Sequence, residues 1–248
     1  MIEADHDVAS PASGGRPELV LAGRCPQSRR QRWLVSLLKS AVCRRLPGVH
    51  VRCAAVDRGF PRLAELMYVA SSPSVVVPLW LFTSPALSDT LAQSVLLSRA
   101  PVTVTSALGP DPLLAEAVSQ RLRAGGAHPG DTLVLTAPVH PGSEGHDDVC
   151  RAARQVSARW GGRQVHVSVG ADPHSTLPPL LATLQRGGAR VAVAPYTLMP
   201  GSWVDRCQSL AGACEVAAFG EALVHHPLVP ELIARRYEMA TSESRSAA

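Results

Sequence analysis

Histidine and carboxylate side chains are concentrated in two short segments of the second half of the chain. His140 and His146 flank an acidic stretch, and Asp172 and His174 form a second group further along. Neutral imidazole and carboxylate both suit divalent transition metals. We therefore take His140, His146 and His174 as candidate metal ligands, with a solvated polar loop as the alternative interpretation. The acidic residues of the first group are Glu144, Asp147 and Asp148.

Positive charge is carried almost entirely by arginine. The chain has 24 lysine and arginine residues against 20 acidic ones, and Lys39 is the only lysine. Arginine presents a planar fork that binds carboxylates or phosphates bidentately. Arg24, Arg58 and Arg206 lie at predicted strand ends, so they are candidate contacts for an anionic ligand. The alternative is that the arginine content reflects codon preference alone.

Apolar periodicity predicts the elements that must position these side chains. Short apolar runs alternate with amphipathic stretches of helical spacing along the whole chain. Such alternation predicts an α/β fold in which parallel sheets are covered by helices on both faces. The predicted strands are 18–22, 49–56, 74–82, 102–107, 132–137, 164–169, 190–195 and 214–219, and the predicted helices are 27–46, 61–70, 87–98, 113–124, 147–160, 176–187 and 230–239.

The same unit occurs twice, at an offset of about 114 to 117 residues. Leu19–Ala22 corresponds to Leu133–Thr136, and Asp57 corresponds to Asp172. The repeat predicts two α/β lobes with a cleft between them, residues 17–125 and 126–240, flanked by tails at 1–16 and 241–248. Ligands of open parallel sheets bind beyond the carboxyl ends of the strands, where the candidate residues lie.

Composition excludes several classes of protein. Residues 1–16 lack the basic start and apolar run of a secretory signal, and the apolar stretch Val75–Phe82 is too short to span a bilayer. We therefore expect a cytoplasmic chain without a membrane partner. Aromatic residues make up only 4% of the chain and basic residues are scattered, so no nucleic-acid partner is expected. Six cysteines without a CxxC pair indicate buried thiols, not a zinc site.

Five segments in fixed order resemble the long, two-lobed sirohydrochlorin chelatases, also called CbiX proteins. The resemblance runs from about residue 17 to about residue 240. The segments are Val56–Glu65 (VDRGFPRLAE), Val75–Phe82 (VVVPLWLF), Leu108–Val118 (LGPDPLLAEAV), Val191–Gly201 (VAVAPYTLMPG) and His226–Tyr237 (HPLVPELIARRY).

This resemblance implies a duplicated chelatase-like fold and a lyase of cobalamin or siroheme biosynthesis. Members of the family insert a divalent metal, cobalt or iron, into a tetrapyrrole such as sirohydrochlorin, and they need no organic cofactor. The metal is thus a substrate. The family's carboxylate after the second strand corresponds to Asp57, which would serve in proton abstraction or metal approach. Arg24, Arg58 and Arg206 would pair with carboxylates of the tetrapyrrole.

The chain departs from the family pattern at the metal-handling histidines. Ala22, Ala86 and Val204 stand at positions where the family carries histidine. Two hypotheses follow. In one, the metal site has moved to His140, His146 and His174. In the other, the chain has lost chelatase activity and serves as a tetrapyrrole-binding or partner protein. A distant alternative, a periplasmic-binding-like or sugar-nucleotide protein, has no glycine-rich phosphate loop to support it.

Overall fold

The computed structural model describes residues 16–59 and 61–246 as alternating strands and helices. The strands are β1 (Glu18–Gly23), β2 (Val51–Ala55), β3 (Ser74–Pro78), β4 (Val102–Val104), β5 (Thr132–Ala137), β6 (Val165–Val169), β7 (Val191–Pro195) and β8 (Ala218–Phe219). The helices are α1 (Arg29–Arg45), α2 (Leu63–Tyr68), α3 (Pro85–Leu96), α4 (Pro112–Ala124), α5 (Glu144–Arg159), α6 (Leu177–Arg186), α7 (Ser202–Ala213) and α8 (Leu228–Ser246). Two short 3₁₀ helices occur at Pro173–Ser175 and Leu223–His225.

The strands form two parallel sheets of identical topology. The first sheet has the order β2-β1-β3-β4 and the second the order β6-β5-β7-β8. In the first, Leu19 of β1 lies opposite Val51 and Val75. In the second, Leu133 of β5 lies opposite Val165 and Ala192. The predicted α/β fold with parallel sheets is therefore confirmed.

Helix α1 shows how local sequence sets an element. Ser28 caps its first turn by accepting a hydrogen bond from the Gln31 N–H, as serine commonly does at helix starts. Leu34, Leu38 and Val42 are the face of this helix that is buried on the sheet. Other apolar residues of the predicted helix face outward, since Trp33 is 58% exposed and Leu37 is 40% exposed.

The second lobe and the C-terminus differ from the sequence prediction in two elements. Helix α7 (Ser202–Ala213) lies between the predicted strands 190–195 and 214–219, where no helix was predicted. Helix α8 runs on to Ser246, into the predicted tail at 241–248. Its polar end is held because Thr241 is buried and its hydroxyl donates to the Glu238 carbonyl. Of the predicted tail at 1–16, residues 1–15 lie outside the described part of the chain.

One apolar core joins the two lobes. It contains residues of both sheets, from Leu19 of β1 to Leu135 of β5, together with residues of α4, α5 and α8. The outer face of each sheet has its own smaller cluster, around Val76 in the first lobe and Val193 in the second. The sheets are thus covered on both faces, and their inner faces share a core.

Helices α4 and α8 cross between the lobes. Helix α4, which follows the first sheet in sequence, packs against α5 and β7 of the second lobe. Helix α8, the last helix of the described residues, packs against α1 and β3 of the first lobe. Of the lobes predicted as 17–125 and 126–240, the first therefore contributes α4 to the packing of the second, and the second contributes α8 to the packing of the first.

Among the helices of the described residues, none combines the length and the apolar character that a membrane span requires. All six cysteines are free thiols, and Cys207 is buried.

Candidate functional site

Segments that follow the strands of the first lobe contact segments that follow the strands of the second. The Gln31 side chain, at the start of α1, donates a 2.6 Å hydrogen bond to the Pro200 carbonyl in the loop after β7. The Thr83 N–H, in the loop after β3, donates a 2.6 Å hydrogen bond to the Asp148 carboxylate in α5. Both contacts connect one lobe to the other through segments that follow strands at the carboxyl edges of the sheets. Ligands of such folds bind at this edge, and the sequence predicts the cleft here.

Asp57 is the acidic group of the first lobe at this edge. It follows β2, and its Oδ1 accepts a 2.8 Å hydrogen bond from the Cys25 N–H in the loop after β1. The Nε of Arg24 lies 3.6 Å from its other oxygen, Oδ2. The structure therefore brings together two of the predicted site residues, Arg24 and Asp57.

The surroundings of Asp57 keep it ionised. Partial burial would raise the pKa of this carboxyl, but hydrogen bonds from the backbone N–H groups of Cys25, Arg58 and Asp57 itself outweigh that effect, with a smaller contribution from Arg24. The net result is a pKa below the ordinary aspartate value of 3.8. Asp57 is therefore an anion at neutral pH.

Gly59 lets the loops after β1 and β2 approach each other. Its φ is +110°, a conformation that glycine adopts readily and other residues rarely. A Cβ at this position would also clash with the Cys25 Sγ. The Cys25 side chain thus packs on the backbone that follows Asp57, which supports the hydrogen bond between the Cys25 N–H and that carboxylate.

The other two candidate arginines are exposed. Arg58 lies next to Asp57, whereas Arg206 lies in the second turn of α7, in the other lobe. The side chain of Arg24 is 73% exposed despite its ion pair. The described residues thus present guanidinium groups to solvent from both lobes.

His140 and His146 belong to the capped start of α5. Ser143 is the N-cap residue: its hydroxyl accepts from the His146 N–H at 3.2 Å and donates to the His140 carbonyl at 2.7 Å. The ring Nδ1 of His146 accepts a 3.0 Å hydrogen bond from the Gly142 N–H. His140 is exposed and His146 is half-buried. These contacts are those of a helix cap.

His174 lies in a similar local arrangement after β6. Asp172 caps the 3₁₀ helix Pro173–Ser175 and accepts a 3.2 Å hydrogen bond from the His174 N–H. Both residues are exposed. Within residues 16–59 and 61–246, no group of three or more His, Cys, Asp or Glu side chains is arranged to hold a metal ion. The assignment of His140, His146 and His174 to a metal stays a prediction.

Asp148 is a structural contact that sequence analysis grouped with the acidic loop. It is 2% exposed, and its other oxygen, Oδ1, pairs with Arg151. Burial alone would raise the pKa of this carboxyl, but the hydrogen bonds from Thr83 and Arg151 lower it below 3.8. Its burial between lobes has no local sequence signal, because the bond joins residues 65 positions apart.

Tyr196, directly after β7, is a second buried group at the lobe junction that sequence reasoning did not single out. It is fully buried, and burial raises the pKa of its hydroxyl well above the ordinary value. A Cβ on Gly109 would lie 2.5 Å from this hydroxyl. A glycine at 109 therefore lets the loop before α4 pack on Tyr196.

The positions where the resembling family carries histidine have three different environments. Ala22 is fully buried in β1, in the apolar cluster that includes Trp80. Val204 is buried in α7, whereas Ala86 is exposed in the first turn of α3. Trp80 is buried, and Trp203 is half-buried and donates from Nε1 to the Gly170 carbonyl.

Several solved structures have a fold similar to that of this chain. SirB from Bacillus subtilis, solved with Fe³⁺, has a TM-score of 0.74 and 15% identity, over 93% of this chain and 98% of that one. The sirohydrochlorin chelatase SirB from Bacillus subtilis subspecies spizizenii, in complex with cobalt, has a TM-score of 0.73 and 14% identity, over 93% and 97%. CbiX, described as the terminal enzyme for biosynthesis of siroheme in denitrifying bacteria, has a TM-score of 0.63 and 20% identity, over 91% and 99%.

These likenesses establish the fold. No protein-family model matches the chain, and the search of curated proteins gives no match. The two parallel four-stranded sheets have the chelatase-like arrangement, so the resemblance drawn from the sequence motifs is confirmed at the level of fold. At 14% to 20% identity, the activity of these proteins does not transfer with the fold.

Proposed function

We propose that the chain binds a polycarboxylate tetrapyrrole between its lobes and inserts a divalent metal, cobalt or iron, into it. The observation that carries this proposal is the ionised Asp57, held at the carboxyl edge of a chelatase-like fold with Arg24 beside it. A fixed anion at this edge attracts a divalent cation, and exposed guanidinium groups attract the carboxylates of the ring.

The lowered pKa of Asp57 favours one of its two expected roles. A carboxylate with a pKa below 3.8 is a weak base, so it is poorly suited to taking the pyrrole protons. The same charge is well suited to holding a metal ion as it approaches the ring. We therefore assign Asp57 to metal approach, with Oδ2 as the contacting atom because Oδ1 is engaged by the Cys25 N–H. Metal insertion displaces two pyrrole protons, and these would pass to water at the exposed edge of the sheet.

The arginines would bind the substrate's carboxylates at the rim of the cleft. Arg58 and Arg206 are exposed and lie in different lobes, so together they could contact opposite sides of one macrocycle. Arg24 has the additional ion pair with Asp57. A substrate carboxylate that draws Arg24 away would leave Asp57 with a greater affinity for the metal, which would favour binding of the tetrapyrrole before the metal.

The three histidines are unequal as metal ligands. His146 uses Nδ1 to accept from the Gly142 N–H, so its neutral ring carries the proton on Nε2 and has no free lone pair. His140 and His174 have exposed rings. Metal binding by the second lobe would therefore use His140 or His174 first, and His146 only after its ring leaves the cap.

A second candidate function is tetrapyrrole binding without metal insertion. It is favoured by Ala22, Ala86 and Val204 at the family's histidine positions, since the exposed arginines needed for binding are present without these imidazoles. In that case the chain would be a carrier or a partner of a pathway enzyme. The two functions predict different rates of metal insertion but the same affinity for the tetrapyrrole.

The test is an anaerobic titration with sirohydrochlorin, followed by cobalt(II) or iron(II) and optical spectra against a protein-free background. We expect faster loss of the metal-free bands with the wild-type chain. Asp57→Asn, which keeps an oxygen for the Cys25 N–H, should lower the insertion rate at least about tenfold, an effect of about 1.4 kcal/mol. Glu238→Gln, at an exposed carboxylate of α8, is the control and should retain the rate.

Each alternative outcome has a defined meaning. Tight binding of sirohydrochlorin without acceleration would support the binding role and overturn metal insertion. Loss of binding in Arg58→Gln and Arg206→Gln, but not in Arg186→Gln at the far end of α6, would support the rim assignment. Absence of both binding and acceleration would overturn both functions.

A further inference from the structure

A cluster of exposed apolar side chains lies where α2 and α3 end. Tyr68 and Val69 are 56% and 67% exposed, and Leu97 is 50% exposed. We call these three residues the α2–α3 patch, because all three line one surface depression. They are three of the eight large apolar side chains that are exposed among the described residues. Scattered exposed leucines are ordinary, but a contiguous apolar patch marks an interaction surface.

Two shallow, open depressions lie at the α2–α3 patch. Tyr68 and Val69 line both of them, and their volumes are about 370 Å³ and about 540 Å³. Leu97 lines the first cavity, and Ala100 and Pro101 line the second. A hollow with apolar walls can receive the side chains of another protein surface, which a flat patch cannot do as well.

The charges at the patch select the partner. The two cavities are lined by one acidic residue, Glu65, and one basic residue, Arg99. The Arg99 guanidinium lies 5.3 Å from the centroid of the Tyr68 ring, which places this charge at the edge of the apolar surface. Among the described residues, the Glu65 carboxylate accepts one long hydrogen bond, 3.5 Å, from the Arg62 N–H. A strongly acidic or strongly basic partner would face a like charge here.

We propose that the α2–α3 patch is the interface of a twofold homodimer. A twofold axis makes each surface meet its own copy, so every contact between two different groups occurs twice. Glu65 of one copy would then lie near Arg99 of the other, and the reverse, around an apolar centre formed by Tyr68, Val69 and Leu97. A surface with one charge of each sign beside an apolar depression is complementary to the same surface of a second copy.

The location of the patch makes this inference independent of the proposed function. The Ser74 N–H donates to the Pro101 carbonyl, which places the loops before β3 and β4 side by side at the amino edge of the sheet. The candidate cleft lies at the carboxyl edge. A dimer formed through the patch would therefore leave the cleft of each copy open to ligands.

The test is the mass of the full chain in solution, measured by sedimentation and light scattering over a wide concentration range. We expect the wild-type chain to be a dimer of a 26.2 kDa subunit. Val69→Asp and Leu97→Asp should each raise the dimer dissociation constant at least about tenfold. Met239→Asp, at a residue 54% exposed on α8, is the matched control and should leave the dimer intact. Circular dichroism would verify that each variant is folded.

A charge-reversal cycle tests the twofold pairing itself. Arg99→Glu and Glu65→Arg should each weaken the dimer, and the double variant should restore it. A monomeric wild-type chain at every concentration would overturn the proposal, as would a double variant no better than the single ones. A chain that dimerises only after deletion of residues 1–15 would also overturn it, because that segment would then be the occupant of the patch.

Discussion

At the residue scale, Ala22 and Ala86, which lie where the resembling family carries histidine, differ in whether a histidine side chain would fit. Ala22 packs in β1 between Ala54 and Pro78 of the neighbouring strands and has no exposed surface. Ala86 lies at the surface, in the first turn of α3. An imidazole restored at 22 would be buried among apolar groups, whereas one restored at 86 would reach solvent. A histidine at position 86 could therefore bind a metal ion from solvent, whereas a histidine at position 22 could not reach one.

We expect Ala22→His to lower the free energy of unfolding by about 1–3 kcal/mol, because it adds volume and an unpaired polar ring to a filled cluster. Ala86→His is the matched control and should change the free energy of unfolding by less than about 0.5 kcal/mol. Urea unfolding at neutral pH measures both. Equal stabilities of the two variants would contradict the packing described for β1.

At the scale of elements, the helices that close each lobe come from the other half of the chain. The Tyr237 hydroxyl in α8 donates a 2.6 Å hydrogen bond to the Pro17 carbonyl at the start of the first lobe. Arg236, also in α8, pairs at 3.1 Å with Asp111, the N-cap residue of α4. The last helix of the chain is therefore part of the first lobe's structure, and it also contacts the other crossing helix.

We expect a cavity in α8 to destabilise the first sheet. Ile233 is fully buried in the shared core, so Ile233→Ala should lower the free energy of unfolding by about 2–5 kcal/mol. Because α8 packs on α1 and β3, amide hydrogen exchange should accelerate more in the first sheet than in the second. Met239→Ala on the exposed side of α8 is the control. A larger acceleration in the second sheet would show that the helices do not cross as described.

At the scale of the whole molecule, the lobes are joined by a continuous core and by polar contacts at the cleft. The buried Asp148 carboxylate receives the Thr83 N–H from the opposite lobe, and the Gln31 amide reaches the Pro200 carbonyl. A shared core of this extent predicts one cooperative unfolding transition for both lobes. The Thr83 contact also fixes the loop that leads to Ala86.

We expect Asp148→Asn to reduce stability in a pH-dependent way. The folded pKa of Asp148 lies below 3.8, so its charge contributes fully to stability above that value. The contribution is lost as the pH falls through the lower folded pKa. At pH 7 the variant should be less stable by about 1.5–3 kcal/mol, the range for a hydrogen bond to a charged group.

Urea unfolding at pH 7 and again near pH 2–3 measures this difference. It should shrink at the lower pH, because wild-type Asp148 is then increasingly protonated. Asp147→Asn, at the adjacent exposed residue in the same helical turn, provides the control. A difference that stays constant with pH would mean that the charge of Asp148 does not stabilise the folded chain.

The sequence by itself determined the alternation of elements and therefore the fold class. Apolar runs such as Val75–Val77 must be buried, and their alternation with amphipathic helices leaves a parallel sheet as the physical solution. It also placed Asp57 and Arg24 at neighbouring strand ends, because parallel strands bring their carboxyl ends to one edge. Helix α7 escaped prediction because its start, after Pro200 and Gly201, resembles a continuing loop.

Only the tertiary structure decided which groups meet across the lobes. The Thr83 contact with Asp148, the crossing of α4 and α8, and the burial of Ala22 all depend on residues distant in sequence. The spacing of apolar residues along an element indicates which of its faces is buried. It does not indicate which other element packs against that face. For the same reason, the sequence places Asp148 in an acidic loop of candidate metal ligands. In the structure, its carboxylate instead accepts a hydrogen bond from Thr83 of the other lobe.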